Sequence, residues 1–376
     1  MVKRTITILH IMQGIFPHGG TPRKLLDLLV HGDHDHFRHA FLLFDNSAEN
    51  LNREYINASA IVQEVKRPRN WDIRLIFDIV KMCKRYKCDI INTHFARADI
   101  FGTIVGNFMR IPVIQSAHGI TWNDSYWVQK MDKMLSRLRV CTICNSEATR
   151  QAVISRNGAK NTQVIYNGVP NHAIFFNPVQ RMLKRDELYI PSDGFVVIHV
   201  GGLIDLRDQT VIIKAVKKCA DVGMNIYLVF VGDGPLRKNL EAESQELGLA
   251  RRILFLGYRS DVRELNAMSD VFVNMAREEG FGIAVVEAMQ AGLPVVLANA
   301  GALPELIEDG KSGLLVPAGD INALADVLIM LEQQPEIARR IGDAGRSHAE
   351  NKFSIQRYVK EMEKLYMAAI EEYHVN

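Results

Sequence analysis

Apolar runs of strand length alternate with helix-period stretches along nearly the whole chain. They predict strands near residues 5–12, 39–44, 88–93, 112–117, 139–144 and 162–166 in the first half. In the second half the same pattern predicts strands near 195–200, 226–231, 252–256, 270–274, 294–298 and 313–316. Strands separated by helical stretches of roughly ten to twenty residues imply βαβ units, and hence parallel sheets. Two such sets predict an α/β chain of two doubly wound, Rossmann-like domains. Asn171, Asn177, Pro178, Pro191, Ser192, Asp193 and Gly194 accumulate at the joint. The expected division is a first domain over 1–178, a second over 179–353, and a C-terminal helix over 354–376. Ligands of open parallel sheets bind at the carboxyl ends of strands, so two such sheets facing each other would make a cleft lined by loops from both.

Length agrees with this reading, because 376 residues suit two domains of about 150–200 each. At 48% hydrophobic and 23% charged residues the composition is that of a soluble globular protein. No run approaches the ~18 apolar residues of a membrane span. The basic start and the short apolar run Thr5–Met12 resemble a signal peptide only faintly, since Thr and His interrupt the run and no small-residue cleavage site follows. A first strand and a cytoplasmic location are expected. Five cysteines argue against a disulfide framework. Cys141 and Cys144 form a Cys-x-x-Cys without a second pair, and in a strand residues three apart point to opposite faces, so no metal site is expected there.

A net charge of +2 conceals an asymmetry. Residues 1–190 carry 26 Lys and Arg against 16 Asp and Glu, while the remainder carries 19 against 27. The first half thus suits an acidic partner such as an anionic membrane surface, and no nucleic acid is expected. Tyr126 and Trp127, with Trp122 before them, share a predicted helical stretch with Lys130, Lys133, Arg137 and Arg139. Lys66, Arg67, Arg69, Trp71 and Arg74 form a second such cluster. These mixtures fit a membrane interface, or core aromatics beside a solvated basic face. His31, His34, His36 and His39, with Asp33 and Asp35, read as a solvated loop more readily than as a metal site.

The candidate chemistry concentrates in residues 277–297. Glu279 and Glu287 bracket Gly280-Phe281-Gly282 and an apolar run that Gly292 and Pro294 close. The pattern predicts a loop carrying Glu279, a glycine-opened helix N-terminus, and Glu287 buried within the helix among Ala284, Val285, Ala288 and Met289. Free N–H groups at such a terminus suit phosphate. A helix from 281 to 287 would span ~9 Å and set one carboxylate on each side of that anion site. Spacing alone leaves open a structural helix whose Glu287 caps a neighbouring backbone group.

This window resembles the Glu-seven-Glu motif of family 4 glycosyltransferases, retaining enzymes of two-domain GT-B fold found among bacterial cell-envelope glycan enzymes. Val231-Gly-Asp-Gly-Pro235, Phe255-Leu-Gly-Tyr-Arg259, Ala300–Gly310 and Gly313–Pro317 follow the family order. The resemblance implies that Glu279 holds donor-sugar hydroxyls and Glu287 the ribose. It places Tyr258 and Arg259 at the nucleotide base. The backbone of Gly280, Phe281, Gly282 and Ile283 would hold the diphosphate. The family's Gly-Arg-Leu…Lys phosphate clamp becomes Val200-Gly-Gly-Leu…Arg207 here, so Arg207 takes the lysine's place and Gly202 lacks the arginine's charge. In the first half Gly19 and Gly20 follow strand one at the donor loop, and His118 in Gln115-Ser-Ala-His-Gly119 would lie near the donor sugar. The C-terminal helix would cross back to the first domain.

By this resemblance the chain moves a sugar from a nucleotide diphosphate donor, UDP-linked in the first instance, to a hydroxyl of a glycan or lipid-linked acceptor, with retention. Glu279, His118 and Arg207 form the catalytic set, and no cofactor or obligatory metal is expected. The missing charge at Gly202 keeps one alternative open, a catalytically weak GT-B protein serving as a sugar-nucleotide-binding or scaffold subunit. A nicotinamide oxidoreductase is set aside because no Gly-x-Gly-x-x-Gly follows a first-domain strand.

Overall fold

A computed structural model describes residues 5–16, 20–44, 50–67, 71–120, 125–175 and 177–375. The chain forms two compact units, one of Met1–Pro170 with Ile355–Asn376, the other of Asn171–Ser354. Residues after Pro170 join the second unit through local contacts. Asn171 donates to Glu350 at 3.0 Å, and the Arg346 guanidinium lies 4.4 Å from the Phe175 ring.

The first unit holds a seven-stranded parallel sheet. Its strands are β1 (Ile6–Met12), β2 (Phe37–Leu43), β3 (Ile61–Glu64), β4 (Ile90–His94), β5 (Val113–Ala117), β6 (Cys141–Cys144) and β7 (Thr162–Val164), in the order β3-β2-β1-β4-β5-β6-β7. β3 was not expected from the sequence. It is four residues with no periodic pattern, and it exists by pairing along β2, from Ala40 opposite Ile61 to Leu43 opposite Glu64. Period-two alternation sends Ile8, Phe41, Ile90 and Ile114 to one face and Leu9, Leu42, Ile91 and Val113 to the other. Helices Gly20–His31 and Ile355–Val375 cover the first of these faces. Ile355, Tyr358, Val359, Met362, Leu365, Tyr366 and Ala369 recur at helical spacing and are all buried there. At ~1.5–3 kcal/mol for each large side chain removed from water, this stripe fixes the C-terminal helix on the first unit.

The second unit holds a six-stranded parallel sheet of β8 (Phe195–Val200), β9 (Ile226–Val231), β10 (Ile253–Phe255), β11 (Val271–Asn274), β12 (Val295–Ala298) and β13 (Leu314–Val316). The order is β10-β9-β8-β11-β12-β13. Val196, Ile198, Leu228, Phe230, Phe272, Val273, Val295 and Leu297 are fully buried. Both faces are covered by helices, which is why these strands read as continuous apolar runs. All five cysteines are buried free thiols, and Cys141 and Cys144 face different clusters as alternation requires. No helix among the described residues is long and apolar enough to cross a membrane.

Each sheet reverses direction of growth once, between β1 and β4 in the first and between β8 and β11 in the second. The loops leaving those strand pairs splay apart, and in doubly wound sheets that crevice is the binding position.

Candidate functional site

In the second unit the reversal brings together the loops after β8 and β11. Past Val200 the chain runs through Gly201 and Gly202 into a single 3-10 turn, Asp205–Arg207, ended by Asp208 in the left-handed region at φ 52°. Arg277 fastens this turn to the loop after β11. Its backbone N–H donates to Leu206 at 2.9 Å and its guanidinium donates to the Asp205 carboxylate at 2.8 Å. The Arg207 guanidinium then lies against the carboxylate of Glu279, which is only 9% exposed. Burial lowers the pKa of Arg207 from its ordinary value, so a partly desolvated cation sits at the mouth of the crevice.

Two glycines hold Glu279 in place. A Cβ on Gly301 would come within 2.7 Å of the Glu279 nitrogen, and this close approach lets Ala302 donate to the Glu279 carbonyl at 2.9 Å. Gly282 stands at φ 100°, a conformation glycine adopts without strain, and opens the helix Ile283–Gln290. The helix therefore begins two residues later than expected, and the four steps from Ile283 to Glu287 rise ~6 Å instead of ~9 Å.

Glu287 also departs from expectation, because it is exposed. The buried stripe of this helix is Val285, Val286, Ala288, Met289 and Gln290, whereas Glu287 shares the outer face with half-buried Ile283 and Ala284. Apolar neighbours in sequence are not neighbours in space on a helix. Phe281 is core, 3% exposed with its ring edge-on to Phe353 at 5.5 Å, so only its backbone faces the turn. Gly280 is half-buried beside it.

The flanking loops are laced by backbone bonds, Leu203 to Asp233 at 3.0 Å and Gly232 to Gly257 at 2.8 Å. Tyr258, next to Gly257, is 59% exposed. Arg259 is taken up by Asp261, at 2.7 and 2.6 Å, and by Glu187 at 3.5 Å. That pairing pulls the Asp261 carboxyl well below its ordinary range. A Cβ added at Gly202 would meet only the Asp233 carbonyl at 3.8 Å, so Cβ packing does not require glycine there.

His118 lies just past β5 in the first unit, half-buried, with both ring nitrogens engaged. Nε2 is 2.8 Å from His94 Nδ1, and Nδ1 is 3.3 Å from Lys24 Nζ. The Asn145 amide donates to its carbonyl at 3.2 Å. Gly20 is exposed at the start of the helix Gly20–His31, while Gly19 lies outside the described residues, as do Arg69 and Trp122. Phe95 follows His94 at φ 73°, a strained value for an aromatic residue, and places its ring 5.5 Å from that of His118.

Sequence reading missed Lys24, His10 and His94, and it put His39 in a solvated loop, whereas His39 is buried on β2. The signal was present: His10, His39 and His94 fall on the face that also carries Ile8, Phe41 and Ile90, where apolar residues are the rule. His39 leaves the loop cluster, and of the others His36 bonds Asp33 at 2.5 Å on the surface. Among the described residues no group of three or more His, Cys, Asp or Glu converges as a metal site would require. Arg139, expected on the basic face, is instead a buried ion-pair partner of Asp132 at 2.6 Å. Arg67 and Arg74 are likewise paired, with Asp78 and Asp72.

Residues 20–172 match the family described as Glycosyltransferase Family 4, and residues 180–348 match Glycosyl transferases group 1. The chain belongs to the family 4 glycosyltransferases of GT-B fold. It is 26% identical over 307 residues to the N-acetyl-alpha-D-glucosaminyl L-malate synthase of Bacillus anthracis, covering 79% of each chain. A UDP-Gal:alpha-D-GlcNAc-diphosphoundecaprenol alpha-1,3-galactosyltransferase of Escherichia coli is 26% identical over 308 residues, again 79% of each. Among solved structures, Anabaena Alr3699/HepE in complex with UDP superposes with a TM-score of 0.85 at 25% identity, over 97% of this chain and 100% of that one. The same protein in complex with UDP-glucose gives 0.84.

Proposed function

We propose that this glycosyltransferase moves a hexose, with retention, from a UDP-sugar to a hydroxyl of a glycan or lipid-linked acceptor in cell-envelope polysaccharide synthesis. The observation that carries the reading is the meeting of Arg207 and Glu279 where the second sheet reverses. A cation and an acid held there, beside amides opened by Gly282, suit a diphosphate joined to a sugar. In this reading Glu279 accepts hydrogen bonds from sugar hydroxyls, and Glu287, on the outer helix face, takes the ribose. Arg207 and the Gly280–Ile283 amides stabilise the leaving diphosphate, where negative charge develops. Tyr258 borders the base and His118 orients the sugar. No metal is required. UDP is favoured because the Anabaena neighbour holds UDP and UDP-glucose.

A lipid-linked acceptor is favoured by the helix Tyr126–Leu135 and the turn after it. Tyr126, Trp127, Met134 and Leu138 are 44–69% exposed, beside exposed Lys130, Lys133 and Arg137. Aromatics and cations on one exposed face suit an anionic membrane surface. The test is release of nucleotide diphosphate from UDP-, GDP- and ADP-linked sugars with a lipid-linked acceptor, in the presence and absence of EDTA. Release from a UDP-sugar that survives EDTA, with an α-linked product from an α-linked donor, is expected. No release with any donor overturns the reading.

A further inference from the structure

Four imidazoles run edge to edge across the first sheet. His39 on β2, His10 on β1, His94 on β4 and His118 beyond β5 occupy successive positions along the strand order. Nδ1 of His39 is 2.9 Å from Nε2 of His10. Nδ1 of His10 is 3.1 Å from Nε2 of His94, and Nδ1 of His94 is 2.8 Å from Nε2 of His118. Neighbouring ring planes differ by only 24°, 17° and 13°, which aligns each nitrogen with the next. Lys24 Nζ closes the line on His118 Nδ1 at 3.3 Å.

Each contact joins the Nδ1 of one ring to the Nε2 of the next, and this repetition has a consequence. A neutral imidazole has one donor and one acceptor nitrogen. Once one ring's tautomer is set, the hydrogen bonds set all the others, so the line points one way or the other as a unit. A lysine ammonium can only donate. Facing His118 Nδ1, it makes that nitrogen an acceptor and forces hydrogen onto Nε2 of all four rings. Burial holds His10, His94 and His118 in the neutral form on which this depends. Lys24 is itself 7% exposed, sits 5.7 Å from the centre of the Tyr358 ring, and borders a cavity with about 10 Å³ of room for a water centre. Ser116, Asn92 and Asn145 line the same cavity, and the Asn145 Oδ1 is buried without a partner, so one water there would have polar neighbours.

We propose that Lys24 is a positioning residue that fixes the tautomer and the orientation of His118, with His94, His10 and His39 following as one hydrogen-bonded line. This rests on the reading that His118 orients the donor sugar. The line leaves neither His118 ring nitrogen free while Lys24 is engaged, so the ring is held as a fixed surface instead of a proton donor.

The test is long-range 15N–1H NMR of the imidazoles in the full-length protein at about pH 6, below the ordinary histidine value. Wild type should show four neutral rings with hydrogen on Nε2. Lys24→Met should give His118 a population with hydrogen on Nδ1, and His39→Phe, at the far end, should not. Lys24→Leu, which likewise removes the donor, serves if Lys24→Met does not fold. Mixed or charged rings in wild type, or a His118 spectrum indifferent to the Lys24 amine, overturn the proposal. In sugar transfer Lys24→Met should lower kcat by ~10- to 100-fold with little change in donor KM, as expected for lost orientation. If wild type transfers no sugar, the functional reading fails while the tautomer result still decides this one.

Discussion

The Arg207 guanidinium rests against the Glu279 carboxylate, so each neutralises the other within the second unit. On the proposed function, a nucleotide diphosphate competes with Glu279 for Arg207. Replacing Glu279 with Ala should cost about 100-fold or more in kcat/KM, the scale of one or two charged hydrogen bonds lost. The same change should leave UDP affinity equal or higher, because Arg207 no longer has a carboxylate partner. Calorimetric titration with UDP separates the two effects, and a parallel fall in both would remove Glu279 from the sugar side.

Gly202→Arg should be accommodated, since a Cβ there meets only the Asp233 carbonyl at 3.8 Å. A second cation beside the diphosphate position should raise UDP affinity roughly tenfold or more, given about 1.5–3 kcal/mol for a charged hydrogen bond. Unchanged affinity in a folded variant would place the diphosphate elsewhere.

Stability should rise with pH across the acid range. Burial lowers His39 and His199 to about 4. The unfolded chain takes up protons near 6.5 that these native rings refuse, so stability is full above that value and falls as pH drops toward about 4. Each ring accounts for up to roughly 3 kcal/mol over that window. Burial also lowers Lys24 to about 7, which places a further gain between neutral pH and about 10. Lys24→Met should consequently be at least as stable as wild type at neutral pH. Urea midpoints at several pH values measure both effects, and a flat profile between about pH 5 and 7 contradicts the first.

Asp132 and Arg139 are 2% and 1% exposed at 2.6 Å, and Arg139 also donates to Gln115 at 2.7 Å. Asp132→Ala strands a buried guanidinium and should cost about 3–5 kcal/mol. Denaturant unfolding measures it, and a loss below about 1 kcal/mol would mean that water reaches the site.

Charge reversal of Lys130 and Lys133 to Glu should weaken binding to anionic vesicles by about 1 kcal/mol for each lysine removed, or more. Transfer to a water-soluble acceptor should be unaffected. Vesicle sedimentation with neutral and anionic lipid tests it, and equal binding to both lipids would leave the exposed aromatics without that partner.

The strands were legible because a parallel sheet buries both faces, and runs such as Ile226–Val231 can be little else. β3 was not, since Ile61–Glu64 is defined by its neighbour β2. The Gly282 turn and Glu279 before it were legible because glycine and charge punctuate an apolar segment, whereas Arg207 was marked only by the family resemblance. The exposure of Glu287 was not legible, because residues adjacent in sequence lie on different sides of a helix. Arg139 and Asp132 show the same limit, for no local pattern says that two charges seven apart will be shut away together.

Local sequence determined where the strands other than β3 form and which loops follow them, because hydrophobic period and backbone preference act over a few residues. Which side chains then meet was decided by the order of strands in each sheet. That order sets β8 beside β11, and so Arg207 against Glu279. It also sets β2, β1, β4 and β5 side by side, so that four histidines scattered from 10 to 118 become one hydrogen-bonded line. Such pairings arise from crossover connections between distant segments, and they leave no period in the chain from which to read them.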